Sequence, residues 1–191
     1  MSTNTDLTRH DAASAGILRD MLFGDKLEKR ARWEKLLREN PIFTPRHVIG
    51  FDDLRELAYQ RIKAVADAKL FSIFDFDNDP VNLFTAHEML AQVCGSLSTK
   101  FTVQFNLFGG TLMALHTERH LPFMKQVDSL KNMGCFCFTE LGYGNNAPKM
   151  ETTATYDVNK EEFVINSPTT QSQKYWITNG ACHANYAIVF A

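Results

Sequence analysis

Apolar residues in the first half of the chain recur every three or four positions, a spacing that places them on one face of a helix. Gly24 and the pair Asn40-Pro41 follow the first two such stretches, at positions where helices commonly end. The predicted helices run over about 12–24, 25–39, 54–70, 81–93 and 122–130. The N-terminal part of the chain is therefore predicted to be helical throughout.

One stretch gives two conflicting signals. Over 101–107 apolar and polar residues alternate, which on period alone favours a strand. The apolar stretch continues as far as Leu115, so we predict a buried helix here. Gly109 and Gly110 each cost a helix about 1 kcal/mol relative to alanine. Their presence indicates that another helix or ligand backbone approaches closely at this point.

The character of the sequence changes after Met133, where helical periodicity disappears. Strand-like runs are predicted over 135–139, 151–156, 162–165, 173–176 and 185–190, with a hairpin turn at 157–160. We therefore predict an α+β fold. An all-α helical domain over 1–132 is followed by an incomplete antiparallel β-barrel or sandwich domain over 133–191.

Composition narrows the functional classes. The net charge is −2, with 20 basic and 22 acidic residues, so neither nucleic acid nor an anionic membrane surface is a favoured partner. There is no signal sequence and no apolar run long enough for a membrane span. The four cysteines form no disulfide framework, and we interpret them as buried small hydrophobic residues in a reducing compartment. Residues 186–191 are typical of a strand interior, so a longer protein is expected.

Two clusters have the side chains of a metal site. The acidic run 75–79 is similar to the start of a calcium loop, but Pro80 and Ala86 stand where glycine and glutamate are required. These carboxylates are instead predicted to cap the following helix. His116 and His120 have the spacing of two ligands on a helix, but no convincing third ligand follows. We therefore predict no metal site.

The stretch 134–146 carries the strongest candidate chemistry. An apolar run ends in a hydroxyl, Thr139, and a carboxylate, Glu140, and Gly142 and Gly144 follow in a turn. Glycines let backbone N–H groups approach a flat ring or a phosphate, and they tolerate positive φ. A turn of this kind is by itself more often an ordinary turn than a ligand loop.

A second turn, YWITNG at 175–180, follows later in the chain. Taken alone, Trp176 fits a core position equally well, and 178–180 fits an ordinary turn. Taken together, this string and FCFTELGYGN at 136–145 resemble the flavin-facing signatures of the acyl-CoA dehydrogenase and acyl-CoA oxidase superfamily. The resemblance to acyl-CoA oxidases extends over about 51–191, and it also places a buried helix over the stretch that ends at Leu115.

This resemblance implies an acyl-CoA dehydrogenase-like fold with FAD as the cofactor. It implies flavin-dependent oxidation of fatty acyl-CoA thioesters to trans-2-enoyl-CoA with oxygen as electron acceptor, the first step of fatty acid β-oxidation. Hydrogen-bond donors near the flavin stabilise the negative charge that develops on its reduction. The implied cofactor-binding residues are Phe138, Thr139, Glu140, Gly142, Gly144, Trp176, Thr178 and Asn179, and the implied substrate contact is Asn145.

Two departures from the family pattern leave alternatives open. Asn145 stands where serine is usual, and Thr178-Asn179 is closer to the dehydrogenase branch, whereas 163–168 and 174–176 are closer to oxidases. The alternatives are an acyl-CoA dehydrogenase with a flavoprotein acceptor and a non-catalytic truncated remnant. The family's catalytic glutamate is expected beyond Ala191, so the chain is assigned no catalytic residue.

The resemblance also implies where and how the complete protein acts. It implies a homodimer in a peroxisome, with the cytoplasm as the alternative because the chain holds no peroxisomal targeting signal. The preferred length of the acyl chain is left open, because the residues that shape that pocket lie in helices whose packing the sequence only outlines.

Overall fold

The computed structural model describes residues 12–47 and 49–191. It has the predicted α+β class, and the described residues contain no closed barrel. The α-helices are α1 (Ala12–Phe23), α2 (Leu27–Glu39), α3 (Phe51–Ala68), α4 (Asp75–Asn78), α5 (Pro80–Ala91), α6 (Gly95–Phe101), α7 (Gly110–Leu115) and α8 (Leu121–Met124). A π-helix, Thr102–Gly109, joins α6 to α7, and short 3-10 helices cover Gly24–Lys26, Pro41–Phe43, Glu118–His120 and Ala147–Lys149. The strands are β1 (Gly134–Cys137), β2 (Thr153–Asp157), β3 (Glu162–Asn166) and β4 (Tyr186–Val189).

The helix-ending residues act as predicted. Gly24 adopts φ +60° and follows α1 directly. Asn40 follows α2, and its side-chain oxygen accepts the Ile42 N–H at 3.1 Å, which starts the 3-10 helix after Pro41. No helix in the described part of the chain combines the length and hydropathy needed to cross a membrane.

The ambiguous stretch at 101–115 is helical, as predicted, although its middle is π-helical. A Cβ on Gly109 would lie 2.5 Å from the Ile73 side chain, and one on Gly110 would lie 3.1 Å from the Phe76 ring. These two glycines therefore let the segment around α4 pack directly against the helix. The close approach predicted from the glycines is made by side chains of that segment.

The helices enclose a hydrophobic core that is rich in aromatic residues. Phe71 packs edge to face against Phe101 and Phe105, with ring centroids 5.2 and 5.4 Å apart. The largest fully buried side chains are those of Trp33, Phe101, Phe105, Phe108, Ile62, Ile73, Leu90, Leu97, Met124, Gln104, Val65 and Val127. Since Phe101, Phe105 and Phe108 belong to α6 and the π-helix, these two elements run through the centre of the core.

Gln104 of the π-helix connects the helices to β1. Its side-chain oxygen accepts the Gly134 N–H at 2.9 Å, and its amide donates to the carbonyls of Val127 and Asn132 at 3.3 and 3.0 Å. A Cβ on Gly134 would lie 2.1 Å from the Phe108 ring, so β1 must begin with a glycine to pack here. The start of β1 is thereby fixed against the helical core.

The strands form two separate pairs. β2 and β3 make an antiparallel hairpin, and the predicted turn at 157–160 is confirmed by hydrogen bonds from the N–H groups of Asn159 and Lys160 to the Asp157 carboxylate. β1 and β4 pair in parallel rather than antiparallel, because a long connection that contains the hairpin returns the chain to the same end of β1.

The predicted strand over 173–176 is absent. This segment makes a single bridge, between Glu140 and Lys174. It does not continue as a strand because Trp176 adopts φ +64°, which turns the backbone away from an extended path.

The prediction that the carboxylates before α5 cap this helix is wrong. Asp79 is the N-cap residue, but its side chain accepts no backbone N–H of α5. Its carboxylate instead pairs with the ammonium groups of Lys26 and Lys29. Charged donors are stronger partners for a carboxylate than neutral backbone amides, which explains the preference.

The helix predicted over 122–130 is shortened to α8, and turns follow it. The Phe123 carbonyl accepts a hydrogen bond from the Asn132 side chain at 2.8 Å instead of extending the helix. Leu130 adopts φ +59°, which reverses the chain before β1. Immediately before α8, Thr117 and His120 form a capped 3-10 turn.

Candidate functional site

Thr139, Trp176 and Thr178 line one cleft, although the first belongs to a different turn from the other two. The cleft has a volume of about 240 Å³. It is lined by Val103, Leu107, Phe136, Phe138, Thr139, Trp176, Ile177 and Thr178. We name the two turns that meet here the Glu140 turn (139–146) and the Trp176 turn (175–180).

The floor and walls of the cleft are apolar. Phe136 and Phe138 stack with centroids 5.9 Å apart, and each packs against Phe190 at 4.8 Å. Val103 and Leu107 reach the cleft from the π-helix. The lining is mainly apolar, and Thr139 and Thr178 add hydroxyl groups to it, a combination that suits a flat ring with a polar edge.

Trp176 presents its indole to solvent from a strained backbone conformation. Its side chain is 87% exposed and its φ is +64°. A bulky residue at positive φ costs on the order of 1–3 kcal/mol, and such strain is concentrated at ligand sites. The turn is tied to the Glu140 turn by a hydrogen bond from the Tyr175 N–H to the Thr139 carbonyl at 3.0 Å.

The side chain of Glu140 is engaged inside the protein, and the flavin contact implied for this residue, through its backbone, stays a prediction. It is 2% exposed, and its carboxylate accepts the N–H groups of Glu151 and Thr152 at 2.9 and 3.0 Å and pairs with Lys174 at 3.1 Å. Burial raises the pKa of Glu140, but these hydrogen bonds outweigh burial and lower it to about 2. The carboxylate is therefore ionised and fully engaged inside the protein.

The other predicted residues of the Glu140 turn do not line the cleft. The Gly142 N–H donates to the Gln171 carbonyl at 2.9 Å, and the Gly144 N–H donates to the Glu140 carbonyl at 3.1 Å. Gly144 has φ +51°, and a Cβ on Gly142 would lie 2.4 Å from the Gln171 side chain. These glycines close the turn, and their amides are already used. Asn145 is exposed beside them.

The Trp176 turn also borders a second, larger cleft. Its volume is about 710 Å³, and it lies between this turn, the start of α3 and the start of α6. Among its lining residues are Phe51, Arg55, Ser96 and Lys100. Asn179 contributes to this cleft and not to the one that contains Thr139.

The cysteines do not line the cleft that contains Thr139. Burial raises the pKa of Cys135 to about 12, which keeps its thiol protonated. Cys94 and Cys137 are half-buried and Cys182 is exposed, so the prediction that the cysteines are buried is confirmed only for Cys135. Over residues 12–47 and 49–191, no three His, Cys, Asp or Glu side chains are grouped as metal ligands would be.

Sequence reasoning missed the helical wall of the cleft. Val103 and Leu107 were predicted only as part of a buried helix, and Phe136 only as part of a strand. The spacing of Val103 and Leu107 by four positions places both on one helix face, which could have indicated a shared surface.

No family model matches the chain. It is 39% identical over 145 residues to the peroxisomal acyl-coenzyme A oxidase 2 of Arabidopsis thaliana, a match that covers 75% of this chain and 21% of that protein. It is 31% identical over 157 residues to the human peroxisomal acyl-coenzyme A oxidase 3, with 81% and 22% covered. The chain thus spans about a fifth of the length of these relatives.

Solved structures with a similar fold are also acyl-CoA oxidases. The acyl-CoA oxidase 3 of Yarrowia lipolytica superposes with a TM-score of 0.77 at 28% identity, over 91% of this chain and 25% of that one. A Caenorhabditis elegans acyl-CoA oxidase-2 structure bound with FAD, ascaroside-CoA and ATP gives a TM-score of 0.72 at 22% identity, over 92% and 27%. The α+β fold is therefore that of a part of an acyl-CoA oxidase.

Proposed function

Because the chain belongs to the acyl-CoA oxidase family, we propose that the cleft between Thr139 and Trp176 receives the flavin ring of FAD. The observation that carries this proposal is that the two turns with flavin-facing signatures line the same cleft. Had Thr139 and Trp176 pointed into separate surfaces, the signatures would have reflected ancestry alone.

The residues present suit such a ring. Phe138 and Phe136 provide an apolar surface, and Thr139 and Thr178 contribute hydroxyl groups to the lining. A hydroxyl aimed at the ring edge stabilises negative charge that develops there, and the exposed Trp176 indole shields the ring from water. FAD, when bound, supplies the acceptor for the hydride that leaves the β-carbon of an acyl thioester.

We propose that the other predicted cofactor-binding residues act indirectly, by holding the two turns in shape. Glu140 and Asn179 hold the two turns from inside the protein, and Gly142 and Gly144 shape the first turn. Asn145 remains a proposed substrate contact, since its exposed position next to the turn leaves its side chain accessible.

The activity of the complete protein is part of the proposal. It is the oxidation of a fatty acyl-CoA to a trans-2-enoyl-CoA with oxygen as acceptor, in a peroxisome and as a homodimer. The peroxisomal names of the plant and human relatives support the location. The base that removes the α-proton is expected outside this chain, because no described carboxylate lines the cleft.

A dehydrogenase that passes electrons to a flavoprotein is the second candidate. The feature that favours it is Thr178, which places a side chain at the rim where oxidases tend to have glycine. A complete protein that forms hydrogen peroxide from an acyl-CoA under air would support the oxidase, whereas efficient dye reduction without peroxide would support the dehydrogenase.

Titration of the 191-residue chain with FAD tests the site directly. We expect quenching of flavin fluorescence on binding, and Trp176→Ala and Thr139→Val should each weaken the affinity about tenfold, the loss expected for one good contact. Thr155→Val, on exposed β2, is the matched control and should bind as the parent does. A chain that is folded but does not bind FAD would support the non-catalytic alternative.

A further inference from the structure

A lysine ammonium group is buried directly below the Trp176 turn. Lys100 of α6 is 5% exposed, and its Nζ lies 2.5 Å from the Asn179 side-chain oxygen and 2.9 Å from His183 Nδ1. No carboxylate of the described residues lies within 4 Å of this Nζ. A buried charge is costly unless its hydrogen bonds are made, so these two neutral acceptors are essential to its position.

His183 is arranged to act as one of these acceptors. Its ring stacks on Tyr59 of α3 with centroids 4.4 Å apart, and its Nε2 faces the Glu56 carboxylate at 3.7 Å. Burial and the nearby Lys100 charge lower the pKa of His183, so the ring is neutral near pH 7. A neutral ring with its proton on Nε2 leaves Nδ1 free to accept from Lys100.

Asn179 connects Lys100 to the Trp176 turn, to which it belongs. Its side-chain amide donates to the Gly134 carbonyl at 3.5 Å, so the same side chain contacts both α6 and β1. Its backbone carbonyl accepts the N–H groups of Cys182, His183 and Ala184 at 3.1–3.2 Å. Asn179 has φ +70°, a conformation that asparagine tolerates better than most residues.

Apart from the hydrogen bond between Tyr175 and Thr139, the Trp176 turn makes few other stabilising contacts near Trp176 and Thr178. Its indole is almost fully exposed, its backbone is strained, and Thr178 is exposed as well. The turn lies between two clefts, so solvent-filled space is present on both sides. On its N-terminal side the turn is fixed by the hydrogen bond from the Tyr175 N–H to the Thr139 carbonyl, and on its C-terminal side by the buried side chain of Asn179 with the groups that bind it.

The geometry points to Lys100 as the positioning residue that, through Asn179 and His183, holds Trp176 and Thr178 in place for the flavin. This inference rests on the proposed function for its meaning, because the turn has a flavin to face only if that function is right. Lys100 itself does not line the cleft that contains Thr139. Its role is to fix the backbone that carries the two cleft residues.

Amide hydrogen exchange measured by NMR on the 191-residue chain tests this without flavin. In Lys100→Met we expect two sets of amides to exchange about tenfold faster, because their local opening becomes easier. These are the amide of Gly180, which bonds to the Ile177 carbonyl inside the Trp176 turn, and the amides of 182–184, which bond to the Asn179 carbonyl next to it. The amides of Leu141 and Gly142 in the Glu140 turn should not change. Lys149→Met, at an exposed lysine, is the matched control and should leave both turns unchanged.

The pattern of exchange separates positioning from general stability. Equal acceleration in both turns would mean that Lys100 only stabilises the whole fold, and no acceleration would mean that it holds nothing; either result overturns the inference. If Lys100→Met does not fold, His183→Phe is decisive, because it keeps the ring on Tyr59 but removes the acceptor for Lys100. Faster exchange confined to Gly180 and 182–184 then supports the inference, and unchanged exchange overturns it.

FAD titration of the same variants then separates the two proposals. If the parent chain binds FAD, Lys100→Met should bind about tenfold more weakly than the parent and than Lys149→Met. Equal binding by all three would overturn the role of Lys100 toward the flavin. If even the parent does not bind FAD, the proposed function fails for this chain, while the exchange result still decides whether Lys100 holds the turn.

Discussion

The Glu140 turn and the Trp176 turn border the same cleft but are stabilised in opposite ways. The Glu140 turn is organised around its own buried carboxylate, which accepts two backbone N–H groups and pairs with Lys174. The Trp176 turn contains no charged residue. It is held by Lys100 of α6, which is far away in the sequence but contacts the Asn179 side chain. Its largest side chain faces solvent.

This difference indicates a division of roles between the turns. A turn whose polar groups are all satisfied internally is rigid, and it can offer a ligand only what projects from it, here the Thr139 hydroxyl. A strained turn with an exposed indole retains unfavourable free energy that a bound ring can offset. The first turn is thus suited to fixed geometry and the second to covering a ligand.

The largest expected effect comes from removing the charge inside the Glu140 turn. Glu140→Gln leaves the partly buried Lys174 ammonium without its counter-ion and weakens two hydrogen bonds to backbone amides. We expect the free energy of unfolding to fall by about 3–5 kcal/mol, the usual cost of breaking a buried pair. Urea unfolding followed by circular dichroism measures the change.

The control for this substitution is Glu39→Gln, at the exposed end of α2. It removes the same charge from a position without buried partners, so we expect a change within about 0.5 kcal/mol. A similar loss in both variants would show that net charge, and not the pairing of Glu140, determines stability.

A smaller effect concerns the pH dependence of the same turn. The pKa of Glu140 is lowered from 4.5 to about 2, so its contribution to stability is complete above pH 4.5 and is lost as the pH falls towards 2. The difference in unfolding free energy between the wild type and Glu140→Gln should therefore be about 2 kcal/mol smaller near pH 3 than near pH 7. Urea midpoints of the two proteins at both pH values give this difference. A difference that does not change with pH would contradict the lowered pKa.

The Trp176 turn also shows how far the sequence alone could lead. Its signature placed Trp176 and Thr178 beside a ligand because the order of residues within a turn is local information. Lys100 gave no such signal, since it falls between the predicted helices at 81–93 and 101–115 and a lone lysine is usually exposed. Its burial depends on Asn179, 79 residues away in the sequence, and such a pairing becomes visible only when the fold is known.

The same distinction explains the errors in the fold. Helices and the β2–β3 hairpin follow from local spacing and turn residues, and both were predicted. The parallel pairing of β1 with β4 depends on how a long connection crosses, and the loss of the strand at 173–176 depends on one positive φ. The position of Glu140 beside the flavin rests on a local signature and stays a prediction, whereas its side-chain partners Thr152 and Lys174 come from later segments and could not be predicted.

The smallest expected effect tests the strain in the Trp176 turn. Trp176→Asn replaces a bulky residue at φ +64° with one that tolerates this conformation, and the exposed indole contributes few contacts that are lost. We expect the free energy of unfolding to rise by about 0.5–1 kcal/mol while FAD affinity falls, a gain in stability at the expense of function. Tyr175→Asn is the matched control, because Tyr175 is also exposed but has no positive φ, and it should give no gain in stability. If both variants were destabilised equally, the indole would be contributing to packing, and the contrast between a relaxed turn and a strained one would not hold.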